Sequence, residues 1–274
     1  MNETSPATCT NCDNTLVDVY CARCGEKQPS HHDLTVGHFT HELVHELVHL
    51  DSKLFRTLRE LMFMPGQLTA EYFAGRKKRY IAPIRLFITL FAITFIAYSA
   101  FKPVAVYSLD LMLGMDPDHR LENLFRKAAT KRQIPYEELK TKVEHRWQKN
   151  ISLVSMLSIL SVALVLKLLY FRRYFTEHLV WGTHFMCFAY AMSLVVWPIQ
   201  LWMGVGRNTS NYVLMCITSI ISLTYIYLAL RRVYGQGGVI VFLKGAVVWG
   251  VNFLTTMVLT AASLLAAIFT VLRA

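Results

Sequence analysis

The feature that most constrains this chain is the clustering of its apolar residues into long blocks, all of them after residue 83. A bilayer's hydrocarbon core, about 30 Å thick, needs roughly 20 apolar residues of helix to cross it. Stretches of that kind occupy 84–101, 151–171, 179–203, 211–230 and 239–272, and none occurs earlier in the chain. Hydrophobic residues make up 54% of the chain. The blocks predict an all-α integral membrane protein with about five transmembrane helices. The last stretch exceeds one crossing, so a tilt, a kink at Gly245 or Gly250, or a short re-entrant start is expected there.

Basic residues at the block ends set the orientation, because lysine and arginine near a span are retained on the cytoplasmic side. Arg76, Lys77, Lys78 and Arg79 precede the first block, Arg172 and Arg173 follow the second, and Arg231 and Arg232 follow the fourth. All three groups fall on one side, which predicts a cytoplasmic amino terminus, a periplasmic carboxyl terminus and an external loop at 102–150. The opening MNETSPATC lacks the charged start and apolar centre of a cleaved signal, so the first span is expected to direct insertion. The net charge of +10 sits mostly at these boundaries, where topology and anionic lipid headgroups account for it without nucleic acid.

The polar segment before the first block divides into a head, 1–30, and a juxtamembrane part, 31–83. Four of the six cysteines, Cys9, Cys12, Cys21 and Cys24, form a pair of C-x-x-C knuckles. Each knuckle lets two thiolates reach one ion at roughly 2.3 Å, the arrangement of a zinc ribbon. Two disulfides are the competing reading, which a reducing cytoplasm disfavours. Four cysteine ligands leave no coordination position open, so the Zn2+ implied is structural and folds a segment too short to bury a core.

Residues 38–51, HFTHELVHELVHLD, contain the metallopeptidase signature H-E-x-x-H twice, sharing His45. At 100° per residue His38, His41, His45 and His49 form one ridge, with Phe39, Leu43, Leu47 and Leu50 opposite. A catalytic site needs a third protein ligand, and neither His41-Glu42-His45 nor His45-Glu46-His49 has an obvious one. Three readings remain: a solvated histidine-rich face, a second metal or contact site, and a membrane-bound zinc peptidase. Farther along, Glu177, His178 and His184 are ionisable groups at or inside the third block, where such residues are functional candidates by default. A small-solute or ion transporter would use them; a hydrogen-bonded helix contact is the simpler reading. In the loop, Tyr136, Leu139, Val143 and Trp147 share one helical face, expected to lie on the membrane surface or on the spans.

The order of motifs resembles bacterial membrane proteins catalogued as domain of unknown function 3667. The resemblance rests on YCARCGE (20–26), the histidine helix (38–51), TLRELMFMPG (57–66) and EYFAGRKKRYIAP (71–83), and continues weakly in 177–190 and 227–236. It implies a multi-span inner-membrane protein with a cytoplasmic zinc ribbon, and brings no known activity. The expectation is therefore a non-enzymatic protein whose head contacts a cytoplasmic partner or the membrane's inner face, with its oligomeric state left open.

Overall fold

The structure is a computed structural model that describes residues 8–9, 11–12, 14–15, 21–25, 52–101, 109, 113, 119–202 and 209–273. Among these, the regular structure is helical apart from one isolated antiparallel bridge between Thr8 and Thr15.

Two short helices precede the apolar region. Helix α1 (Ser52–Phe63) buries Leu61 and Thr57 on one face and turns its cations outward. Pro65 and Gly66 stop it, and Gly66 at φ +78° starts α2 (Gln67–Phe73). A 3-10 turn over Lys77–Arg79 then leads into α3 (Pro83–Phe101), whose proline stands where a missing N–H costs nothing. The remaining elements are α4 (Arg120–Arg132), α5 (Tyr136–Leu169), α6 (Phe175–Trp202), α7 (Thr209–Tyr234) and α8 (Gly238–Arg273).

Four helices are long and apolar enough to cross a membrane, within Lys77–Ala97, Phe175–Gln200, Val213–Tyr234 and Gly238–Arg273. Large apolar side chains such as Ile96, Leu164, Ile220, Phe253 and Met257 face outward, an arrangement that suits lipid and not water. One detail differs from the sequence expectation. The second apolar block is no separate helix: it is the end of α5, a 34-residue helix that starts at Tyr136 inside the expected loop. No glycine or proline interrupts 136–169, so nothing stops the helix where the composition changes. The last block, expected to tilt, kink or begin with a re-entrant piece, is one continuous helix of 36 residues through Gly245 and Gly250. At 1.5 Å per residue it is about 54 Å long and outruns a bilayer core.

Helix α6 is central. It packs on α3, α5 and α7, while α5 and α8 run side by side in opposite directions. Trp181, Phe185, Cys187 and Phe188 of α6 meet Leu86 and Leu90 of α3, Leu166 of α5 and Ile226 of α7 in the main core. A second core forms where the start of α5 meets the end of α8. Leu139, Val143 and Trp147, the face expected from the sequence, are fully buried there with Phe125, Leu264 and Ala267, so that face lies on another helix.

Candidate metal centre

The cysteine head is built by local backbone geometry. The Thr8–Thr15 bridge and the Cys9 N–H bond to the Asn14 carbonyl (2.8 Å) fold the first knuckle back on itself. The Gly25 N–H closes the second on the Cys21 carbonyl at 2.8 Å, and Gly25 takes φ +70°, a conformation glycine adopts without strain. The sulfurs meet across the knuckles: Cys9 and Cys24 lie 3.5 Å apart, Cys12 and Cys21 3.6 Å. All four ligand atoms fall within 4.8 Å of one another.

A disulfide needs about 2.05 Å between sulfurs, and the four cysteines are free. An ion held tetrahedrally at roughly 2.3 Å implies sulfurs about 3.8 Å apart, close to the separations seen. These residues could therefore hold one metal ion. The four thiols titrate as one interacting group. Backbone N–H groups of Cys24 and Arg23 bring Cys21 down to about 6, whereas Cys12, against the pull of the Asn14 backbone, is pushed up to about 12 by burial and its neighbouring sulfurs. Crowded thiols cannot all ionise together, and a divalent cation removes that conflict. Among the described residues no other group of three or more histidine, cysteine or acidic side chains converges in this way.

Among the described residues the remaining candidates do not form one site. His38, His41, His45 and His49, with Glu42 and Glu46, lie outside the described residues. The basic motif divides. Arg76 turns back onto Glu71 with two hydrogen bonds, one of 2.8 Å, and holds that largely buried carboxyl below the usual carboxylate range. Lys77 lies over the Tyr72 ring at 4.9 Å, while Lys78 and Arg79 line a cleft beside the head. Within α6, Glu177 pairs with Arg173 at 3.3 Å, His178 Nδ1 meets the Tyr234 hydroxyl at 2.7 Å, and His184 Nδ1 meets Thr69 Oγ1 at 2.9 Å. Each has its own partner, on a different element.

The last of these contacts belongs to a collar that the sequence did not announce. Helix α2 is wedged against α6 and α7. Gly66 presses so close to α7 that a Cβ there would stand 2.8 Å from both Cα and O of Ala229. Arg232 donates to the Pro65 carbonyl at 2.8 Å, and Tyr80 donates to Glu60 at 2.6 Å. Pro65 and Gly66 lie in the TLRELMFMPG motif, but the partner of Gly66, 163 residues away, carries no local signal.

No curated protein and no solved structure matches the chain. The segment that forms the collar does match: residues 51–95, from α1 into α3, fit the model of a family described as Protein of unknown function (DUF3667), the family that the motifs resemble.

Proposed function

We propose that this is a non-enzymatic protein of the bacterial inner membrane with five spans, the α5 segment following residue 150 supplying the one beyond the four long apolar helices. In this reading its amino terminus is cytoplasmic and its carboxyl terminus periplasmic. The head holds one structural zinc through Cys9, Cys12, Cys21 and Cys24 and, with the histidine ridge, contacts a cytoplasmic protein or the inner membrane face. The observation that carries the reading is the convergence of four sulfurs within 4.8 Å, which fills a tetrahedral ion and leaves no position for substrate or water. Against transport stands the commitment of Glu177, His178 and His184 to separate structural partners. Against catalysis stands the want of an obvious third protein ligand for either H-E-x-x-H set, His41-Glu42-His45 or His45-Glu46-His49.

The reading is tested by placing a photocrosslinking residue at His41 or His49 in intact membranes. It expects a discrete adduct, protein or lipid, that disappears when Cys12→Ser opens the knuckle. Labelling unchanged by Cys12→Ser, or peptide hydrolysis lost in Glu42→Gln, would overturn it.

A further inference from the structure

Helix α1 and the turn before α3 bring together cations from two separate parts of the sequence. Lys53, Arg56 and Arg59 stand at three-residue spacing on the outward face of α1, and Lys78 and Arg79 come from the 3-10 turn. All five are exposed and line one cleft of about 860 Å³, with Asn11 and Cys24 of the cysteine head also contributing to its wall. Among the described lining residues there is a single carboxylate, Glu60, and one of its oxygens already accepts the Tyr80 hydroxyl. A concave surface with such an excess of positive charge focuses its field inward and favours an anion. Arginine forks match the paired oxygens of a phosphate group better than a lysine can. The cleft also has apolar side chains in its lining: Phe55 and Phe63 are 78% and 80% exposed, with Met64 beside them. These suit the glycerol and first methylenes of an amphiphile better than a wholly water-soluble ion.

We propose that the cleft between α1, the Lys77–Arg79 turn and the cysteine head binds a phosphate group, that of an anionic lipid headgroup, with Arg56 and Arg59 as its principal ligands. This deepens the reading of a head working at the membrane face and rests on it. The positive-inside rule alone asks for cations near the span; it does not ask for a shared cleft or for exposed phenylalanines in its lining.

The full-length protein in neutral detergent is titrated with dihexanoyl phosphatidylglycerol and with dihexanoyl phosphatidylcholine, and bound molecules are counted by native mass spectrometry. Saturable binding is expected for the anionic lipid and not for the zwitterionic one. Arg56→Gln with Arg59→Gln should weaken it roughly thirtyfold, the loss expected for two neutralised basic residues at an anionic surface. Arg56→Lys with Arg59→Lys should recover most of that loss, and Lys149→Gln, exposed toward the middle of α5, should change nothing. Competition with inorganic phosphate separates the sources: retention of lipid identifies the headgroup, and displacement at millimolar phosphate identifies a general phosphate site. Equal binding of the two lipids, or no response to the arginine pair, overturns the proposal. Both arginines are exposed, so helix content and zinc per chain should stay constant; a changed zinc count would count against the head reading instead.

Discussion

The two ends of the bundle differ in how closely their backbones approach. At the head end, α1 and α2 are fixed by specific polar contacts and one glycine: Thr69 to His184, Arg232 to the Pro65 carbonyl, Tyr80 to Glu60, and Gly66 against the Ala229 backbone. At the far end, Leu139, Val143, Trp147, Phe125 and Leu264 form an apolar cluster. It is also tied by polar contacts, among them Trp147 Nε1 to Ser263, Asn150 to the Ser263 carbonyl, Arg132 to the Val271 carbonyl and the Leu109 N–H to Glu144. Polar contacts and a backbone-to-backbone approach tolerate one geometry, whereas an apolar cluster accepts many volume-conserving sequences. The family match covers the first end and not the second. The head end is thus the part where a backbone-to-backbone contact at Gly66 fixes how α2 meets α7.

Substitutions can separate the two ends, read by thermal unfolding in detergent together with proteolysis of each end. The largest loss is expected at the far end. Trp147→Ala removes a fully buried indole and should cost about 3–5 kcal/mol, opening residues 120–150 to protease while leaving metal content unchanged. Gly66→Ala adds a Cβ that collides with the α7 backbone at a left-handed residue, and should cost about 2–4 kcal/mol. Here cleavage should rise around α1 and α2, with the far end protected as before. If either variant unfolded both ends together, the ends would be one cooperative unit. Thr69→Val leaves His184 without its partner at about 1 kcal/mol, and should be less than additive with His184→Ala, because one contact is being removed twice.

The smallest effect is a pH dependence. Arg76 holds the Glu71 carboxyl below its ordinary value, so the folded form binds its proton less readily than the unfolded one. The stabilisation is therefore complete at neutral pH and fades as the pH falls past about 4.3 and through the lower folded value. Glu71→Gln should remove this acid-side slope from head-end unfolding and leave the far end's slope intact. A wild-type slope that persists in Glu71→Gln would assign it to another group.

How far the sequence could be read follows the same division. The cysteine knuckles were legible because their geometry is local, two C-x-x-C steps whose sulfurs converge. The far-end face was legible too: Tyr136, Leu139, Val143 and Trp147 share a side of any helix, whatever meets them. Its continuity into the second apolar block was not, because a change from charged to apolar composition resembles a boundary when no helix breaker marks whether one exists. The collar was the least legible part. Thr69 and His184 are 115 positions apart, and neither residue type names the other. His184 was read as an ionisable group within a span, with a hydrogen-bonded helix contact the simpler role, but nothing in the sequence pointed to Thr69 as its partner. Lys53, Arg56 and Arg59 had a visible three-residue spacing, but their convergence with Lys78 and Arg79 depends on how α1 folds back.

We propose that one structural metal on four cysteines closes the head and that the histidine ridge serves as a contact and not as a second metal site. Zinc per chain in the purified full-length protein tests it most directly, compared among the wild type, Cys9→Ser with Cys12→Ser, and His45→Ala. The account predicts a single zinc, lost in the cysteine variant and retained in the histidine variant. A second zinc that leaves with His45, or zinc that survives loss of both cysteines, would contradict it.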